Sequence, residues 1–436
     1  MNLRKMVYTL AAVTCLTRPR LCRRRVSREA GGGLDAATEE NRQSGQGRNN
    51  TMGGTLAAAV LTVSLIFVAA GSANAATLYA ATWGADNYPC GTSTAPCRSV
   101  SYAMNMNGSG TTVVLMDEGD FGPISLVTGV NYTKVGQGPG SKVTRNPAAE
   151  FCVKLWGNAG NLVLRDLTVG GDAAGFGIDF QAGASLTLEN VVVSNQTGTF
   201  GMNFRPAASA SLIMKNVTFE NNGSGGSGGA VLLNTASGVV GWVDISDSLF
   251  TRSSRGIVVQ GPGNVQLSVS NTTIANSSGH GIHVTPAAGA IKLSIKDSQI
   301  VNNGGTGVYV GPTGSAKVDA TVNASSLDNN ANIGIAALPG GSSSIAMSIA
   351  DTSVSGNAWG GIYASGKSNF GIIRANIASN GYGITAASPA TVRVGSSMIN
   401  GNYLGLSGPV SSYGNNQLLG NTTQGSATTV PPAGKP

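Results

Sequence analysis

The chain has 436 residues; 63 are glycine, 41% are hydrophobic and only 11% are charged. That hydrophobic share excludes a disordered chain, the lack of a Gly-X-Y period excludes collagen, and two histidines in all leave little for a multi-histidine metal enzyme. The formal charge of +7 belongs to the leader: residues 1–51 hold ten of the 27 Lys/Arg and four of the 20 Asp/Glu, which leaves 17 and 16 from Ala76 onward. A near-neutral remainder offers no basic face to phosphates, so no nucleic-acid partner is expected.

In chain order, residues 1–51 form a basic, low-complexity leader that is set aside from the fold; a start codon placed too early is one account of it. Residues 52–75 read as a signal peptide. Leu56–Ala70 is an uncharged apolar run of 15 residues, short of the ~20 that a membrane span needs. Ala73-Asn74-Ala75 follows as an A-x-A cleavage signature. Cleavage is expected after Ala75, leaving no stable membrane span and a secreted, periplasmic or cell-surface protein.

Residues 76–110 are expected to hold a disulfide loop and an N-terminal cap. In an oxidising compartment Cys90 and Cys97 read as a disulfide, since a zinc site would want further Cys or His nearby. Cys152 is left over as a buried thiol. Ser99–Met106, with Ser99 as its cap, predicts a short helix over the first coil, and Thr111–Leu115 begins the strands.

Residues 111–421 repeat. A glycine followed by an apolar, a variable and usually another apolar residue recurs at Gly177, Gly201, Gly229, Gly256, Gly281, Gly307, Gly334, Gly361, Gly383 and Gly405, at intervals of 22 to 28 residues. Inside each step a second strand alternates, as in Val265/Leu267/Val269, Ile291/Leu293/Ile295 and Ile345/Met347/Ile349, with polar residues between. A third short segment follows, such as Asp297-Ser298-Gln299-Ile300. Three strands per ~25 residues is the arithmetic of a parallel β-helix of about ten coils, each unable to bury its own apolar face until stacked. The fold class is all-β.

Two polar columns accompany the repeat. One runs Asp166, Asn190, Asn216, Asp247, Asn271, Asp297 and Asp351, broken by Ala324, Arg374 and Ser396. The other runs Asn195, Asn222, Asn276, Asn303, Asn330, Asn357, Asn380 and Asn402. Asn and Asp tolerate left-handed backbone angles and their amides can bond in ladders, so turns rather than a calcium line are expected. Asn415–Asn421 reads as a last half-coil, and 422–436, polar and Pro-rich, as a disordered tail.

With the Cys loop (Pro89-Cys90, Ala95-Pro96-Cys97), the turn Gly119–Pro123, the coil-start glycines and the ending Ser412–Asn421, residues 77–421 resemble bacterial secreted proteins of the right-handed parallel β-helix, pectin-lyase-like class. The resemblance implies a right-handed solenoid, and relatives that include pectate lyases, polygalacturonases and alginate epimerases beside members without assigned activity. It leaves the activity open.

Lyases of that class place calcium-binding carboxylates and a basic residue on the outer face of one sheet. Here the outward column of the glycine-led strand runs Asp179, Asn203, Val258, His283, Tyr309, Ala336, Tyr363, Thr385, Ser407, with a single carboxylate; Arg205 stands two positions beyond Asn203. Polygalacturonase-like motifs are incomplete. Gly279-His280-Gly281 is present, but Asn271-Thr272-Thr273 stands where an acid is needed and no Asp-Asp pair occurs. His280 with His283 would lack a third metal ligand. Asp117-Glu118-Gly119-Asp120 is the densest acidic patch and the one place for calcium, with a solvated turn as the simpler reading. No catalytic residues and no cofactor are therefore expected. The residues singled out for carbohydrate binding are Asp179, Asn203, Arg205, Gln260, His283, Tyr309 and Tyr363, whose aromatic and amide groups can hold a glycan by stacking and hydrogen bonds. An exported, non-catalytic β-helix that binds polysaccharide or acts at the cell surface is the expectation; a polysaccharide lyase or epimerase with an atypical site is the alternative.

Overall fold

The computed structural model describes residues 76–430 except 108–109, 127–131, 136–139, 145–150, 158–159, 172–174 and 224–227. The expected leader, signal peptide and cleavage site lie outside the described residues, as does 431–436 of the tail. Everything described belongs to one compact unit, Ala70–Pro436. Among the described residues no helix is long and apolar enough to cross a membrane.

Period-two alternation makes each segment a strand, and the stack of strands makes the solenoid. Strands from Ile124–Leu126 to Leu404–Ser407, most of them glycine-led, form a twelve-stranded sheet, the first face. It begins two coils before Gly177, with Ile124–Leu126 and Phe151–Leu155, where no glycine leads the strand. Longer strands such as Val240–Ser246, Asn264–Ser270 and Lys317–Asn323 form the second face. Short ones such as Leu249–Thr251 and Gln299–Val301 form the third. All registered pairings are parallel, for example Val265↔Ile291↔Val318↔Ile345. The inward residues of all three faces merge into one core, within which Phe180 stacks on Phe204 at 5.0 Å and Phe219 on Phe250 at 5.2 Å.

The coil-start glycines line up except Gly229, which stands opposite Phe200 and leaves Ala230 in the file, and sterics explain the others. A Cβ on Gly307 would sit 2.7 Å from the Gly334 carbonyl oxygen and 2.9 Å from Asn330 Nδ2. The same close approach recurs from coil to coil, so the backbone of one coil occupies the space that a side chain would need.

Asp166, Asn190, Asn216, Asp247, Asn271, Asp297 and Asp351 all have φ between 45° and 54°, and so do the exceptions Ala324, Arg374 and Ser396. This is a one-residue left-handed kink that turns the chain from the second face to the third. Side chains of neighbouring kinks bond to one another: Asn190 Nδ2 donates to Asp166 Oδ1, Asn216 to Asn190 and Asn271 to Asp247, each at 2.7 Å. Arg374 replaces the amide with two bonds to the Asp351 carboxylate, at 2.6 and 2.7 Å.

The second asparagine column proves to be two. Asn195 and Asn276 belong to an outer file at positive φ (58° and 57°), shared with Asn221, Asn302 and Asn329. Asn222, Asn303, Asn330, Asn357, Asn380 and Asn402 form a buried file one residue later. There each Nδ2 caps a backbone carbonyl, as Asn330 does Ile300 O at 3.0 Å. From Asn303 on it also meets the next Oδ1, which in turn accepts the backbone N–H of the preceding rung, as Asn303 N to Asn330 Oδ1 at 3.2 Å. Buried polar groups are tolerated here because their partners are supplied in register.

A further buried file of hydroxyls escaped the sequence reading. Ser248, Thr272, Ser298 and Ser325 each donate to the carbonyl two residues back (2.6–2.7 Å) and accept an N–H from the previous coil (3.1–3.3 Å).

The N-terminal end closes as expected, with one addition. Helix Val100–Asn107 buries Val100, Ala103 and Met104, and Ser99 Oγ accepts the Tyr102 N–H at its start. Ahead of it, Thr77–Ala80 forms a first strand paired with Thr111–Leu115. Cys90 and Cys97 form the disulfide, with Cα atoms 5.0 Å apart, and Cys152 is a buried thiol. The far end departs from expectation. Residues 422–430 are not a loose tail: Thr423 O and Gln424 O accept the Gly405 and Leu406 N–H groups, and Thr428–Thr429 pairs with Ser411–Ser412. The last coil would otherwise leave those edge amides bare.

Candidate functional site

Of the residues singled out from the sequence, the register of the first face places Asp179, Asn203, His283, Tyr309 and Tyr363 in one outward column, with Arg205 and Gln260 two positions beyond it: Lys154↔Asp179↔Asn203↔Leu232↔Val258↔His283↔Tyr309↔Ala336↔Tyr363↔Thr385↔Ser407. Outward does not mean exposed. Asp179 and Asn203 are 4% and 3% exposed, and Val258 is fully buried. Phe200, Leu232 and Val258, with Phe176 against them, form a second small apolar cluster outside the sheet. It divides the column into two polar groups.

The first group is closed on itself. The Asp179 carboxylate accepts Arg205 Nε and Nη2 (3.1 and 2.9 Å), Asn203 Nδ2 (3.0 Å) and Gln181 Nε2 (2.6 Å). Its hydrogen bonds to Asp179 hold the Arg205 guanidinium above its ordinary pKa, against a smaller opposing effect of burial. A lyase base must give up its proton, and this pairing favours the protonated form. The carboxylate likewise has its lone pairs committed to donors, which leaves a cation little to bind.

The second group is aromatic. His280 and His283 stack at 4.8 Å, and Tyr309 meets them at 5.0 and 5.2 Å. The Thr306 N–H donates to His280 Nδ1 at 2.9 Å and Arg255 Nη1 approaches His283 Nδ1 at 3.2 Å. Accepting at Nδ1 requires the neutral ring with its proton on Nε2. Burial, then the neighbouring His280 and Arg255, push the His283 pKa down to about 4; burial also lowers His280. Further along, beyond Ala336, Tyr363 meets Trp359 at 5.8 Å, and Trp359 meets Tyr382 at 5.5 Å. Trp359 is 41% exposed, so this end of the strip faces solvent. Gln260 stands apart, on the outgoing edge beside Asn234.

The structure thus brings Asp179, Asn203 and Arg205 together, and His283 with Tyr309, but joins neither group to Tyr363 or Gln260. Sequence reasoning missed Gln181, Arg255, Trp359 and Tyr382 as participants and left His280 out of the binding set. A signal existed: the residue just before the coil glycine also points outward, and there the chain places Phe176, Phe200, Arg255, His280 and Tyr382.

The acidic patch does not gather around a vacant centre. Asp117 accepts the Thr82 N–H and hydroxyl, and Asp120 accepts N–H groups of Gly122 and Thr144 and the Thr144 hydroxyl. Among the described residues, the one group with metal-like spacing is Asp86, Cys90 and Cys97, whose cysteines are spent in the disulfide.

Strand order and register together define a parallel β-helix. Residues 151–320 match the family described as right handed beta helix region. Among solved structures the chain is similar to the A-module of a mannuronan C-5 epimerase from Azotobacter vinelandii (14% identity, 73% of this chain and 88% of that one, TM-score 0.41). It is also similar to a pectate lyase (16%, 72% and 78%, TM-score 0.43) and to a periplasmic alginate epimerase (11%, 73% and 77%, TM-score 0.40). No curated protein matches the sequence.

Proposed function

We propose that this protein is an exported β-helix that holds polysaccharide without cleaving it, gripping the chain on the aromatic strip of the first face. The apolar run Leu56–Ala70 with its A-x-A exit supports export. The observation that carries the binding reading is the row of half-buried rings, His283, Tyr309 and Tyr363, flanked by His280, Trp359 and Tyr382. Rings fixed by mutual stacking present apolar surface and polar edges at little entropic cost, which suits sugar rings. The alternative, a lyase or epimerase, needs a proton acceptor beside the bound sugar; on this face Arg205 is engaged by Asp179.

Binding of the purified protein to a glycan array, beside lyase and epimerase assays on polygalacturonate and alginate with and without calcium, tests the reading. Retention of glycan with no unsaturated or epimerised product, weakened by Trp359→Ala and Tyr363→Ala, is the expected result. Unsaturated product from the wild type would sink it.

A further inference from the structure

A long depression lies away from the aromatic face. The second face forms an open trough of about 950 Å³ that runs from the coil of Ser211 to Tyr413. Those coils are linked by eight parallel pairings, so at ~4.8 Å per coil the trough extends for about 38 Å along the axis.

Its shape follows from residue size. Two outward columns line it, and along one the side chains shrink to Ser268, Ser294, Thr321, Ser348 and Gly371, all in register. The inward Leu267, Leu293 and Phe370 lie beneath these small residues, each no more than 2% exposed. A Cβ built on Gly371 meets nothing within 4 Å. Bulk stands at the ends: Ile213 and Trp242 at one, 43% and 44% exposed, and Tyr413 at the other, 53% exposed.

The charges decide what fits. The ionisable lining is Asp244, Asp319, Lys292 and Arg393 (with the Tyr413 phenol), two acids against two bases. A balanced lining gives no net attraction to a polyanion, whether uronate polymer or nucleic acid. The backbone of these central strands is already paired with the coils on both sides, so an extended peptide finds no edge to join. What is left to offer is hydroxyls, amides and the exposed apolar side chains and rings at the ends, arranged along a straight line. We propose that this trough is a second binding site, separate from the aromatic strip, for a single uncharged polysaccharide strand lying parallel to the helix axis.

The test uses the whole secreted chain with neutral glucan and mannan oligosaccharides of graded length, and polygalacturonate and alginate as anionic comparators. Affinity for the neutral series should rise with chain length. Gly371→Trp, which fills the trough from a position with free space, should lower it about tenfold, and Trp242→Ala, which removes surface instead of adding it, by a similar factor. Leu249→Ala, on the third face and outside both the strip and the trough, should leave neutral binding unchanged. Circular dichroism and melting temperature establish that each variant is folded, and Trp242→Ala decides alone if Gly371→Trp is not. The proposal is overturned by preference for the anionic polymers, by neutral binding that both trough variants leave intact, by no neutral binding at all, or by a concentration-dependent dimer that Gly371→Trp dissociates without any glycan effect. Loss of neutral binding in Trp359→Ala alone would refute the trough while leaving the aromatic-strip reading standing.

Discussion

Asn330→Ala removes one rung from the middle of the buried amide file. Its Nδ2 donates to Ile300 O and Asn357 Oδ1, and its Oδ1 accepts from Asn303 N and Asn303 Nδ2, at 3.0 to 3.2 Å. Two of the four partners keep another bond: Asn303 Nδ2 still reaches Ile274 O, and Asn357 Oδ1 still accepts the residue 330 N–H. The Asn303 N–H and the Ile300 carbonyl each lose a partner in a region where Asn303 and Asn330 are 1% exposed. At about 1–3 kcal/mol for each of the two buried groups left unmatched, the expected cost is about 2–6 kcal/mol. Asn421 makes the equivalent bonds in a half-buried position at the end of the file: its Nδ2 donates to Ile399 O and Gln424 Oε1, and its Oδ1 accepts Asn402 N and Asn402 Nδ2 in part-buried contacts. There water can replace the amide, so Asn421→Ala should cost about 1 kcal/mol. Urea unfolding of both variants, with native-state hydrogen exchange at the Asn303 amide, reads the difference. An Asn330→Ala protein within about 1 kcal/mol of wild type, or one no worse than Asn421→Ala, would refute the argument that the file is held by matched buried partners.

Gly307→Ala puts a methyl against the Gly334 carbonyl and should cost about 1–3 kcal/mol in chemical denaturation, whereas Gly371→Ala, with open space above it, should cost little; equal effects would contradict the steric account of the glycine file. With His283 at about 4 and His280 lowered, the unfolded chain binds protons that the folded one refuses between pH 6.5 and 4. The stability conferred by the neutral rings is therefore fully present above pH 6.5 and is lost as pH falls through that window. His283→Phe should flatten the wild-type decline in melting temperature there, and an unaltered slope would count against it. Arg205→Ala strips the bidentate partner from a carboxylate only 4% exposed. The cost should be about 1–3 kcal/mol, below that of a fully buried pair because Arg205 is 44% exposed. Adding Asp179→Asn should restore most of it in thermal melts, and a double variant no more stable than the single would disprove the pairing.

The solenoid was legible because its determinants are local. Alternation at Val265/Leu267/Val269 fixes a strand whatever lies above it, and Asn or Asp at 190, 247 and 297 marks a left-handed kink because few other residues accept one. Sequence could not separate Asn195 and Asn276 from the buried asparagines, since one residue along the turn divides a solvent-facing file from an inward one. The hydroxyl file of Ser248, Thr272, Ser298 and Ser325 was hidden for a related reason. Ser and Thr abound in this chain, and only coil-to-coil register reveals which accept an amide. On the first face the register of the outward column was legible, and its burial and pairing were not. The outward column was placed correctly, yet covering by Phe176 and Phe200, and the engagement of Arg205 by Asp179, depend on neighbours some 24 to 28 residues away in sequence.

The amide file carries a consequence for how such a chain can change length. Successive rungs are 27 residues apart from Asn303 to Asn330 but 22 from Asn380 to Asn402, and the bonds across them are alike. Excising residues 304–330 would join Asn303 to Ala331 and leave every file unbroken, only shorter. Losing one residue within Lys317–Asn323, whose side chains alternate between water and core, would turn the rest of that strand inside out. For this architecture a large, whole-coil deletion is a milder injury than the smallest one.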